Sequence, residues 1–248
     1  MMSTNDRLKW AAAGWLIGSL SSVFLFTWIF YVSNNLELDA RLDSRDSLLE
    51  SVLTHVSPVQ LFFFQLPLWA GMVGAPLIAR KYKLNWRKQL GWRIRIIDIP
   101  IGIISGSALQ LAIIPILYNL LSAIINFFGF SDIRKEDVER VAEELVDTAH
   151  TPVEVAFLIL MSIIFAPLVE EIFYRGLVQG ALQDRFNSAL AIVAVSIIFG
   201  VTHFQLLQLP GLLVVGAVQG ILFWHTERIG ASVLSHMSFN AITIFYLL

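Results

Sequence analysis

Residues 10–33 read WAAAGWLIGSLSSVFLFTWIFYVS, a run without a charged side chain. At a rise of about 1.5 Å per residue, a helix of more than 20 residues crosses the ~30 Å hydrocarbon core of a bilayer. Arg7 and Lys9 precede the run, as basic residues precede a signal peptide. A signal's apolar region, however, is only about 7–15 residues long, so the run predicts an uncleaved first membrane helix. Working outward, further apolar runs cover 56–79, 96–130, 153–183, 188–207, 210–225 and 230–248. Pro58, Pro67, Pro76, Pro100 and Pro115 fall inside two of them, which membrane helices tolerate better than soluble ones. The expected fold is an all-α polytopic bundle of about seven spans, with six to eight as the range. The run 96–130 is read as one long tilted helix, with a broken pair as the alternative.

Composition agrees. Of 248 residues 56% are apolar and 15% charged, against about 25% charged in soluble domains. Mean hydropathy is +0.71. Disorder, collagen and coiled coil are excluded. The net charge of −2 leaves no field to gather nucleic acid. With no cysteine there is no disulfide, no thiolate nucleophile and no Cys metal site.

Charge placement orients the bundle. With the N-terminus inside, the inner segments hold Arg7, Lys9, Arg80, Lys81, Lys83, Arg87, Lys88, Arg93, Arg95, Arg175, Arg185 and Arg228, which is 12 of the 17 basic residues. The outer segments hold Arg41, Arg45, Arg134, Lys135 and Arg140, and most of the acids. Lys/Arg bias sets orientation, so a cytoplasmic N-terminus is expected. The stretch 80–95 reads as a cytoplasmic loop against lipid head groups. Residues 131–150 read as an acidic, surface-lying helix with Val138, Val141, Ala142 and Leu145 at helical spacing. Residues 1–152 are scaffold helices and loops, and 153–248 carry the chemistry, within one integrated membrane domain.

The chemistry starts at APLVEEIFYRGLVQG, 166–180. Each ionisable side chain in a membrane helix costs roughly 3 kcal/mol on insertion scales. Glu171 and Arg175 are i,i+4 with the acid first, the better order for an ion pair, and Gln179 continues their stripe. A packing role explains that pair. It does not explain Glu170, which lies about 100° around the helix and suits a carboxylate facing a cavity, poised as a general base. Phe199 and His203 (FGVTH) and His236 and Asn240 (HMSFN) are also i,i+4 pairs, each expected on one face of an apolar helix. Counting from the turn near Asp184–Asn187, Glu170 and His203 lie at equal depth, roughly 24 Å along their helices. His236 and Asn240 fall in the same general layer, so three helices can bring four polar side chains together.

Such a set can hydrolyse an amide: a Glu and a His hold and deprotonate water, while a second His and an Asn stabilise the oxyanion. The alternative is a divalent metal such as zinc held by Glu170, His203 and His236, with Asn240 a weak ligand. HExxH and G-x-S-x-G are both absent from the sequence.

EExxxR at 170–175, FxxxH at 199–203 and HxxxN at 236–240, in that order, resemble the three motifs of the CPBP (Abi) intramembrane protease family, which includes the type II CAAX prenyl endopeptidases. The resemblance covers roughly 153–248. It implies an all-helical membrane endopeptidase acting on a peptide or protein substrate in or at the membrane. Glu170 then resembles the catalytic glutamate that activates water with His203. His236 and Asn240 resemble the oxyanion pair, Glu171 and Arg175 the supporting pair, and Phe199 a packing residue. The family is commonly labelled metalloprotease, while its eukaryotic type members look glutamate-dependent. Members cleave behind a prenylated cysteine or are linked to bacteriocin maturation and self-immunity. The compact chain looks prokaryotic, which places it in a plasma membrane and makes a prenylated substrate the less expected one. Two other classes fit parts of the pattern. One is a non-proteolytic immunity or scaffold protein that keeps the polar cluster for packing. The other is a transporter using Glu170 as a proton site.

Overall fold

The computed structural model describes residues 2–37, 56–81, 85–128 and 135–248. Among them the chain is all-helical. The helices are α1 (Thr4–Glu37), α2 (Pro58–Lys81), α3 (Trp86–Gln89), α4 (Asp98–Phe127), α5 (Lys135–Asp147), α6 (Pro152–Gln183), α7 (Ser188–Val201), α8 (Leu209–Thr226) and α9 (Ile229–Leu247). Five of them, α1, α2, α4, α6 and α8, contain stretches long and apolar enough to cross a bilayer. With α7 and α9, seven apolar helices make the bundle, in keeping with about seven spans. Leucines, isoleucines and phenylalanines point outward along α1, α4 and α7, as they do where the solvent is lipid. The 96–130 run is one helix. The expected acidic helix is α5, whose Leu145 and Val146 face the core; the side chains of Val138 and Val141, and residues 38–55 with Arg41 and Arg45, lie outside the described residues.

Two close helix crossings rest on G-x-x-x-G spacing, which lets backbones approach where lipid supplies no hydrophobic drive. Gly14 and Gly18 of α1 meet α2 at Gly71 and Leu68: a methyl on Gly18 would stand 2.9 Å from the Leu68 backbone. Gly102 and Gly106 of α4 meet α9 along Leu234–Phe239, where a methyl on Gly106 would stand 2.8 Å from Ser238 Cβ and 2.9 Å from Phe239 N. The second crossing braces the turn of α9 that carries His236.

Helices α4 and α6 each contain wide π turns, at Leu109–Ile113 and at Leu160–Phe165 and Ile172–Gln179. Prolines account for two of them. Before Pro167, the Ala166 N–H bonds the Met161 carbonyl rather than that of Ser162. Pro167 has no N–H to offer, so Ser162 O is left without a partner inside the helix. Before Pro115, Ile114 N–H bonds Leu109 O in the same way. Helix α6 is started by Thr151, which forms a capping box with Glu154 over Pro152.

One end of the bundle is tied by charge. Arg7, 2% exposed, pairs with Asp184 in the α6–α7 turn, and Arg185 bonds Asn5. Arg228 bonds buried Asp98 through Nη2 at 2.5 Å, which pushes the Arg228 pKa further up. The loop around α3 does more than lie against head groups. Leu90 is fully buried against Gly176, and Gly91, with φ +60, accepts a hydrogen bond from Ile229 N. Trp92, Ile94, Ile96 and Ile97 remain exposed there, as interfacial anchors do.

Candidate active site

The π turn Ile172–Gln179 is buried along its whole length. Its stripe begins one residue earlier with Glu171. The Arg175 Nε donates to Glu171 Oε2 at 3.0 Å, and both side chains are fully buried. The other Glu171 oxygen, Oε1, accepts from His236 Nδ1 at 3.1 Å. Glu171 therefore ties α6 to α9 as well as to its own helix. Gln179, the next member of the stripe, donates to Gly220 O of α8 at 2.9 Å. So the stripe of polar residues holds three helices together.

Glu170 faces elsewhere. Its side chain is 18% exposed, and its Oε2 lies 3.9 Å from Nε2 of His203, which is 27% exposed. The equal depth expected of this pair corresponds to direct proximity. One expectation is corrected: α7 stops at Val201, so His203 is not on an apolar helix running to 207 but in the turn behind it. Thr202 caps the end, bonding back to Ile198 O and Phe199 O and meeting the Tyr174 hydroxyl at 2.7 Å. Phe204 takes a left-handed conformation, φ 55, and leads the chain away. The helix is only 14 residues long, roughly 21 Å. That shortness sets His203 at the depth of Glu170.

The turn also fixes the histidine's tautomer. His203 Nδ1 lies 2.6 Å from Phe199 O. A carbonyl only accepts, so Nδ1 carries the proton and, in the neutral ring, Nε2 presents a lone pair toward Glu170. Phe199, fully buried, stacks at the centre. Its ring lies 4.5 Å from that of His203, 5.9 Å from that of His236 and 5.2 Å from Tyr174, with the Arg175 guanidinium 5.3 Å above it.

Asn240 follows His236 by one turn of α9. Its Nδ2 donates to Ser162 O at 2.7 Å, the carbonyl released by the proline-induced π turn of α6. One amide N–H is spent there, and the second is free of that bond. The structure thus brings Glu170 to His203 and His236 to Glu171 and Arg175, with Asn240 anchored on the same stretch of α6. It does not gather a metal site: among the described residues no three His, Cys, Asp or Glu side chains stand together as a ligand set.

Tyr174, Thr202 and the Ser162 carbonyl were not foreseen. The carbonyl was readable only through Pro167, whose missing N–H frees it. A cavity of about 130 Å³ lies between α4, α5, α8 and α9, lined by Gln110, Tyr118, Gln208, Val215, Phe239 and Thr243 among others, and by none of the motif residues.

Residues 152–242 match the family described as type II CAAX prenyl endopeptidase Rce1-like. YdiL of Bacillus subtilis (strain 168), named as a proposed membrane peptidase, is 31% identical over 90 residues. The alignment covers 36% of this chain and 37% of that relative, so the two share little more than a third of their lengths. No solved structure matches. The family segment contains all three motifs, and the resemblance of this region to the CPBP proteases stands.

Proposed function

We propose, on the premise that residues 152–242 are Rce1-like family sequence, that this chain is an integral membrane endopeptidase. It hydrolyses a peptide bond of a membrane-associated substrate with Glu170 and His203 as the water-activating pair and His236 and Asn240 as the oxyanion donors. The observation that carries the reading is the 3.9 Å gap between Glu170 Oε2 and His203 Nε2. Both atoms are acceptors once Nδ1 of His203 is committed to Phe199 O. Two acceptors at that separation suit a water that donates one hydrogen to each.

In this mechanism Glu170 takes a proton from the water as its oxygen attacks the substrate carbonyl carbon. The tetrahedral oxyanion then accepts from the free Asn240 N–H and from His236 Nε2–H. Because His236 Nδ1 already donates to Glu171, donation from Nε2 requires the doubly protonated ring, which shares the Glu171 carboxylate with Arg175. Glu170 returns its proton to the leaving nitrogen as the C–N bond breaks. No step runs through a metal.

Packing alone accounts for Glu171 and Arg175, which are fully buried. It gives no account of Glu170 and His203, which are partly exposed. The basic residues gathered with Arg7, Arg185 and Arg228 at the tied end support a cytoplasmic N-terminus, and the bacterial relative supports a prokaryotic plasma membrane. Residues 153–248 then hold the catalytic machinery and 1–152 its scaffold.

The test compares host membrane proteomes by terminal-peptide mass spectrometry, with wild type and with Glu170→Gln at matched expression. New termini made by wild type and lost in the variant are expected. Identical termini with a folded variant would sink the peptidase reading.

A further inference from the structure

Gln219 sits in the middle of the apolar helix α8, is fully buried, and belongs to none of the three motifs. With its carboxamide turned so that donors meet acceptors, Nε2 donates to Ser232 O and to Ser235 Oγ, each at 3.2 Å, and Oε1 accepts from His236 N at 3.2 Å. Ser232 O and His236 N are an i, i+4 pair, the two ends of one rung of the α9 helix ladder. The amide of Gln219 bridges that rung from outside. Ser232 and Ser235 are themselves fully buried.

The neighbouring residue extends the connection. Gly220 O accepts from Gln179 of α6, and a methyl on Gly220 would stand 3.0 Å from Gln179 Oε1. Gly220 thus locks α8 to α6, and Gln219 locks α8 to α9. His236 is held twice: its ring by Glu171 and its backbone by Gln219. A single packing contact could be met by any apolar side chain of that size. A three-point amide contact, two to the backbone of one turn and one to the Ser235 hydroxyl, cannot.

We propose that Gln219 is a positioning residue that fixes the backbone at His236, and through it the direction of the imidazole toward Glu171 and the substrate oxyanion. The inference rests on His236 being part of the site. It touches no substrate and does no chemistry itself.

The test uses the full chain in detergent micelles, labelled with ¹⁵N-histidine. The chain has five histidines, and the His236 signals are assigned by their loss in His236→Gln. Wild type is expected to show His236 as one species, with a proton on both Nδ1 and Nε2. In Gln219→Met, which keeps the volume and removes the amide, the His236 signals move away from the doubly protonated position toward a neutral, tautomer-averaged one. The other four histidines stay in place and the melting temperature changes by only a few degrees. Gln219→Asn, whose amide is one methylene short of the bridge, gives the same shift. Gln219→Glu, protonated in this buried setting, offers one O–H and one carbonyl to the rung and recovers the wild-type signal. In membranes, formation of the new termini falls at least about tenfold in the Met and Asn variants and recovers in Gln219→Glu. A His236 signal unchanged in both the Met and Asn variants overturns the proposal. So does failure of both to accumulate, which would make Gln219 a folding residue. Absence of new termini from wild type would overturn the peptidase reading alone, since the histidine spectra are read without substrate.

Discussion

Glu170 and Glu171 are adjacent in sequence and opposite in circumstance. Glu171 is fully buried between Arg175 and His236, while Glu170 is 18% exposed beside His203. Substitution should separate them. Glu170→Gln keeps volume and polarity at a partly open position, so it should melt within a few degrees of wild type while product termini disappear; differential scanning fluorimetry beside the proteomic assay reads both. Glu171→Gln or Arg175→Met leaves a buried charge without its partner, at a cost of roughly 3–5 kcal/mol. Unfolding in mixed micelles should show that loss for either variant, and equal stability of either with wild type would contradict the ion-pair role. At this scale the motif spacing was legible, because i, i+4 pairing on a helix is a matter of geometry. The bond from Glu171 to His236 was not, since the 65 residues of separation hide which helix faces which. Gln219 was visible as a polar residue in an apolar run, but only the α9 backbone explains it.

The elements place those residues through irregularities more than through regular helix. Helix α7 was expected to run to 207 and ends at Val201. Hydropathy does not report the stop, because Phe204, Leu206 and Leu207 beyond it are as apolar as the helix and stand exposed. The π turns of α6 are equally silent in hydropathy, although Pro167 marks one of them. Pro167→Ala should supply an N–H that can reclaim Ser162 O and compete with Asn240. We expect slower product formation with stability held or slightly raised, measured as terminus yield against melting temperature; unchanged yield would separate the π turn from the site. The crossing of α4 on α9 makes the complementary case. Gly106→Val has no room beside Ser238 and Phe239. Overpacking of this kind costs about 1–3 kcal/mol, and α9 must move with His236 on it. Stability and turnover should therefore fall together, whereas Glu170→Gln changes only turnover.

At the scale of the whole molecule, the ties at one end and the site deeper in the bundle define a direction. Arg7 with Asp184, Arg228 with Asp98, and Leu90 under Gly176 close the end that carries most of the basic residues. Glu170 and His203 lie roughly 24 Å from the turn at that end, nearer the opposite face of a ~30 Å core. The seven apolar runs and their charge bias were readable because bilayer thickness and Lys/Arg asymmetry act on the sequence directly. The folding of the basic loop back onto the bundle was not, because Leu90 reads as one apolar residue among seven basic ones. If the bias does orient the chain, substrate reaches Glu170 by the shorter way from the non-cytoplasmic side. The absence of cysteine makes this measurable with single introduced thiols. Arg87→Cys on α3 and Glu143→Cys on α5 are both exposed positions. In intact cells a membrane-impermeant maleimide should label Glu143→Cys and spare Arg87→Cys, and inverted vesicles should reverse the pattern. The opposite labelling would put the tied end outside, and the short route to the site would then open to the cytoplasm.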